Sequence, residues 1–247
     1  MILDKRADLG HGDVKKLLFS LSVPTITSQI VNMLYNLVDR VFIGHMQPAE
    51  TVGKLALTGV GVCLPIIMVI SAFASLMAIG GAPRASIAEG AGESEKSERI
   101  MGNCLTMLVL TALVLTVLFE SFAEPLLLMF GASENTIGYA LDYMRIYALG
   151  TIFVQLTLGM NAYITAQGFA TVSMKTVLIG ALLNTALDPL FIFVLGLGVR
   201  GAALATVISQ AVSAMWVMTF LTGKKTRWHL KRCLLYTSPS PRDYAAS

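Results

Sequence analysis

LLFSLSVPTITSQIVNMLYNLVDR, residues 17–40, is the stretch whose reading decides the class of this chain. From Leu17 to Val38 it holds 22 residues without a formal charge. At about 1.5 Å of rise per residue, a helix of that length crosses a bilayer core of about 30 Å. The stretch therefore reads as a transmembrane helix. Its polar residues are ordered, because Gln29, Asn32, Asn36 and Asp39 follow steps of three and four and share one helical face. One side suits lipid and the other a wet interior. An acid at the centre of a membrane helix costs about 2.5–3.5 kcal/mol on insertion scales, so Asp39 belongs to a bundle interior or cavity. Taken alone, Asn32 and Asn36 are explained by interhelical hydrogen bonding; Asp39 shifts the reading toward an ion or proton pathway.

Composition agrees. Of 247 residues, 55% are hydrophobic and 13% charged, and the mean hydropathy is +0.71, against roughly 25% charged residues in soluble domains. The net charge of +3 gives no support to nucleic-acid binding, since the basic residues cluster outside the apolar runs, as membrane orientation requires. Cys63, Cys104 and Cys233 lie far apart and match no metal or redox spacing, which leaves them as packing residues. The first apolar run is too long for a signal-peptide core and lacks a small-residue cleavage site, so it is expected to be retained.

Six apolar runs follow one another: Leu17–Val38, Leu55–Pro83, Ile100–Phe119, Ile146–Met174, Thr176–Val199 and Gly201–Gly223. Each can span once. The connectors are His45–Lys54, a charged Arg84–Arg99 segment read as a solvated loop, Glu120–Arg145, a Gln167–Lys175 turn and a Gly196–Arg200 turn. With the N-terminus inside, Lys5, Arg6, Lys15, Lys16, Arg84, Lys96, Arg99, Lys175 and the basic residues of 224–232 face the cytoplasm, and only Lys54 and Arg200 fall in outer loops. Both termini of the chain are thus predicted to be cytoplasmic, in a multi-pass protein of the plasma or inner membrane. Pro24, Pro65 and Pro189 each remove a helical donor, so kinks are predicted there. The segments divide as a cytoplasmic segment at 1–13, the transmembrane unit at 14–222, a basic linker at 223–232 and a tail at 233–247. That tail, CLLYTSPSPRDYAAS, resembles translated adapter sequence and reads as non-native, with the natural chain expected to continue.

The fifth helix, within NTALDPLFIF, sets Asn184 and Asp188 one turn apart on one face. The fourth carries Tyr143 near its outer end and Asn161 nearer its inner end, and the sixth carries Thr206 about a turn from its outer end. Hydroxyl, amide and carboxylate oxygens converging in the outer half suit a hard monovalent cation or a shared proton. No histidine lies in the apolar runs, and no Ser-His or Cys-His pairing is evident; an enzyme is not indicated and no catalytic residues are assigned.

These pieces together resemble the multidrug and toxic compound extrusion (MATE) family, in the branch of DNA-damage-inducible F-type and archaeal transporters. The resemblance is carried by the P-x14-D-R-x-F-I-G spacing through Pro24, Asp39, Phe42 and Gly44, by GGAPRASIAEGAG, MNAYITAQG and NTALDPLFIF, and by GLGVRGAALATVISQ. It covers about residues 14–222. It implies an all-α membrane protein whose six-transmembrane-helix bundle corresponds to one lobe, the N-terminal one, of a twelve-helix transporter, with the C-terminal six-helix lobe absent from this chain. It further implies antiport of organic cations or amphipathic drugs against Na⁺ or H⁺, with no cofactor beyond that ion and the lipid bilayer as surroundings. Carried over, the coupling cluster falls on Asp39, Tyr143, Asn184, Asp188 and Thr206, with Na⁺ held at Asp39, Asn184, Asp188 and Thr206. The substrate cavity falls on Gln29, Asn32, Asn36 and Asn161, and the helix kinks on Pro24 and Pro189. A lipid-linked oligosaccharide flippase of the same superfamily would put several arginines in its cavity, whereas Arg40 and Arg145 sit at helix ends. An intramembrane aspartyl protease would need YD and GxGD motifs where this chain has VDR and LDP. A non-transporting structural subunit stays open.

Overall fold

A computed structural model describes residues 14–224 and 226–230. The segment 1–13, the tail 233–247 and the basic residues Lys5, Arg6, Lys225, Lys231 and Arg232 lie outside the described residues, as do the side chains of Val14, Lys16, Leu17, Ala49 and Glu50. Among the described residues the chain is helical throughout: α1 (Val14–Gly44), α2 (Lys54–Val62), α3 (Leu64–Gly90), α4 (Ser94–Ser121), α5 (Ala123–Met129), α6 (Ile137–Leu149), α7 (Thr151–Ala166), α8 (Ala170–Pro189) and α9 (Val199–Thr222), with wide π-type turns at Ala49–Gly53 and Leu190–Val194.

Long apolar side chains point outward. Met33 is 73% exposed and Ile79 74%, and Leu76, Leu113, Val117 and Met215 are likewise exposed. Leaving such a side chain in water forgoes about 1.5–3 kcal/mol each, so this surface is one made for lipid. Four helical segments are long and apolar enough to cross a membrane: Thr51–Gly90, Ser94–Ser121, Ala170–Val194 and Val199–Thr222. Taken together, α6 and α7 are also long and apolar enough for one span, bent by 56° across Gly150. The 31-residue α1 stands outside that set and carries the polar stripe.

Small residues bring the helices together. Ala74, Ala78, Ala82 and Ala85 form a buried stripe on α3, which packs against both α4 and α7. Without a hydrophobic force between helices in lipid, such close approach supplies the packing. α1 lies along α8, and α9 packs on α6, α7 and α8. One core gathers Ile43, Val60, Ile66, Phe119, Tyr143 and Ile192 toward the end bearing the 45–53 connection. The other gathers Met101, Met160, Tyr163, Ile164, Leu221 and Trp228 toward the end bearing Lys96 and Lys175, hereafter the basic end.

Three expectations need correction. The Arg84–Arg99 segment is not a loop: α3 runs through Pro83 to Gly90, α4 starts at Ser94, and only 91–93 connect them. Alanine and glutamate sustain the helix despite its charge, and the turn comes at Gly92, whose φ of +82° suits only a residue without a Cβ. The fourth crossing begins at Ile137, not Ile146, because Asp142 on its outward face pairs with Arg200 at 2.8 Å and no longer needs a loop. The turn after α7 is correspondingly short, and α8 begins at Ala170 within the expected Gln167–Lys175 turn. As to the prolines, Pro24 lies inside an unbroken α1, Pro65 occupies the first turn of α3 just beyond the α2–α3 break, and Pro189 ends α8 where the π-type turn begins.

Candidate functional site

Packing of α1 along α8 carries Asp39 to Asp188. Both are buried, at 8% and 0% exposure, and the two carboxyl groups lie near enough to act on each other electrostatically. Asn184, one turn before Asp188, donates Nδ2 to Asp188 Oδ1 at 3.1 Å and shares the same group with Thr206 Oγ1 of α9 at 3.4 Å. Since the carboxylate can only accept, the amide orientation is fixed, and Asn184 Oδ1 points away from it. Three buried oxygens are left without a protein donor: Asp39 Oδ1, Asp188 Oδ2 and Asn184 Oδ1. Unpaired buried acceptors of this kind are costly unless a cation or proton completes them. An all-oxygen set of two carboxylates, an amide and a hydroxyl fits a hard monovalent ion or a proton. Asp39, Thr206 and Tyr143, with Arg40, line a small pocket of about 170 Å³, and Tyr143 stacks on Tyr147 with ring centroids 5.9 Å apart.

A larger cavity of about 730 Å³ opens between α1, α3, α7, α8 and α9. None of the described residues lining it is charged, and hydroxyls and amides dominate its polar wall. Gln29, Asn32 and Asn161 line it as expected. Asn161 donates Nδ2 to Ser173 O at 3.3 Å, and its Oδ1 has no donor. Asn36 differs: it lines the small pocket instead, with Nδ2 folded back on Asn32 O at 2.7 Å. It sits one residue beyond Tyr35, the last residue of α1 to line the cavity. The two spaces share walls at Asn32, Tyr35, Leu158, Thr206 and Gln210, so an occupant of one adjoins the other.

Close approach of α8 and α9 shapes the cavity wall. A Cβ on Gly180 would stand 2.6 Å from Ser213 Oγ, so glycine is what lets the helices meet there. Sequence reading missed Tyr35, Ser209, Gln210 and Ser213, although Thr206, Gln210 and Ser213 recur at helical spacing and mark a polar face of α9.

The chain matches the MatE family profile over residues 24–190. It is 29% identical over 214 residues to the multidrug export protein MepA of Staphylococcus haemolyticus, covering 87% of this chain and 46% of that protein. A transporter of the MOP superfamily from Pyrococcus furiosus superposes with a TM-score of 0.83 at 27% identity, over 94% of this chain and 50% of that one. The outward-facing structure of a multidrug resistance MATE family transporter gives 0.82 at 27% identity with the same coverage. The chain thus spans about half the length of the relatives it matches. With the family profile covering more than half of its residues and the fold superposing on one lobe of solved transporters, the chain belongs to the MatE family of multidrug and toxic compound extrusion transporters.

Proposed function

We propose that this chain is one lobe of an ion-coupled exporter that moves organic cations or amphipathic drugs against Na⁺ or H⁺, working with a second six-helix lobe. The observation that carries the reading is the neighbouring pair Asp39 and Asp188, buried with unpaired oxygens, with Asp39 in a small pocket that shares walls with a large uncharged cavity. An empty pair holds buried negative charge and favours water or a cationic substrate next door. A bound Na⁺ or proton neutralises one unit of that charge and frees α1 to change its relation to α8. Opposite preferences of ion and substrate for one lobe conformation are what exchange requires. The apolar and amide lining suits flat, amphipathic cations, with shape and hydrogen bonds in place of a fixed counter-charge.

The test is ethidium efflux from membrane vesicles that carry the chain together with a matching second lobe. Efflux is expected when a Na⁺ or pH gradient is imposed and not when the chain is present alone, because the substrate of such transporters sits between repeats. Efflux indifferent to both gradients would overturn the reading.

A further inference from the structure

Beyond α9 the chain turns back onto the lobe. Residues 226–230 lie at the basic end against α3, α4 and the turn after α7, and a single side chain receives them: Gln167 Oε1 accepts hydrogen bonds from Thr226 Oγ1 at 2.7 Å, Arg227 N at 2.8 Å and Trp228 N at 3.1 Å. Gln167 Nε2 donates to Tyr163 O at 3.2 Å, which orients the amide so that its oxygen meets the segment. Glu98 Oε1 accepts from His229 N at 2.9 Å, and Glu89 pairs with Arg227. Trp228 is 1% exposed. It stands edge-on to Tyr163, with centroids 6.5 Å apart, inside the same core as Met101, Ile164 and Leu221. Segments that leave a domain are ordered only where something ties them down. Here two buried acceptors, Gln167 and Glu98, take up three consecutive backbone donors, Glu89 takes the Arg227 side chain, and an indole fills the space beneath them. None of these residues lines the ion pocket or the large cavity.

We propose that residues 226–230 form a latch, received by Gln167 and the Trp228 slot, which binds the outgoing chain to this lobe so that the two move as one body. Resting on the reading of the chain as one lobe of an exporter, this makes the lobe end at Leu230 and not at Gly223, where α9 ends. An extended chain reaches up to ~3.5 Å per residue, so a released segment over residues 223–230 can reach up to roughly 25 Å from the end of α9. A free segment of that reach loosens the tie between two lobes that must rock against each other. Gln167 is then a positioning residue for the transport cycle, acting through the segment it holds.

Hydrogen exchange on the whole chain in lipid nanodiscs tests the latch without any transport. The amides of Arg227, Trp228 and His229 are expected to be protected in the parent chain. They should exchange roughly tenfold faster in Gln167→Leu, where the buried donors lose their acceptor, and also in Trp228→Ala, which alters no helix and reads the latch from its other side. Spin labels at Ser94 and His229, with the native cysteines replaced, should give one narrow distance that ethidium does not change. Unprotected amides in the parent, exchange unaltered by Trp228→Ala, or a broad distance distribution would each overturn the proposal. Protection that persists in vesicles showing no ion-driven efflux counts against the exporter reading alone and leaves the latch standing.

Discussion

Asn184 Nδ2 donates to Asp188 Oδ1 at 3.1 Å across one turn of α8, and this bond decides which oxygens of the site stay open. It engages one carboxylate oxygen and turns the amide oxygen outward, leaving Asp188 Oδ2 and Asn184 Oδ1 unpaired, as Asp39 Oδ1 is. In the proposed ion site the amide is both a ligand and the orienting partner of a stronger one.

Asn184→Ala should weaken ion binding without removing it. A hydrogen bond to a charged group contributes about 1.5–3 kcal/mol, so the half-saturating Na⁺ or proton concentration for efflux is expected to move by about one to two orders of magnitude with the maximal rate less affected. An ion dependence identical to that of the parent would show that Asn184 neither binds nor orients.

Gly180→Leu should destabilise the lobe. The added side chain must displace Ser213 from the α8–α9 contact, and overpacking of this sort costs about 1–3 kcal/mol. Thermal unfolding in detergent is expected to show a lowered midpoint, recovered in part by adding Ser213→Ala. A midpoint equal to the parent's would mean that the two helices can separate at little cost.

Much of this was legible in the residues, and what was not has physical causes. Asp39 and Asp188 stand out because an acid in an apolar run needs an interior partner, and the one-turn spacing of Asn184 and Asp188 follows from helix geometry alone. The charged residues from Arg84 to Arg99 misled, because charge marks exposure to water and not the end of a helix: Ser94–Arg99 form the first turns of α4, with Arg99 paired to Glu95 at 2.8 Å. The place of Asn36 depended on how far the cavity extends along α1, which composition does not encode. The capture of Trp228 by Gln167 joins residues about sixty positions apart in two short turns, and neither turn carries a local signal of the other.

Cysteines introduced at Ser94 and Leu197, in a chain without native cysteines, should react with an impermeant reagent from opposite faces of the membrane. Ser94 begins α4 at the basic end, and Leu197 lies in the turn between α8 and α9 at the other. From the excess of Lys and Arg at the basic end, Ser94 is expected on the cytoplasmic side. Labelling of both from one face would break the helix count from α4 to α9.

Replacement of both acids bears most directly on the mechanism. Asp39→Asn with Asp188→Asn keeps the shape of the pocket while removing the charge that a coupling ion would neutralise. In the lobe assembled with its matching second half, the double variant is expected to reach the membrane in normal amount and to show no ethidium efflux driven by a Na⁺ or pH gradient. Gradient-driven efflux at the parent's rate in that variant would contradict the account and move coupling away from Asp39 and Asp188.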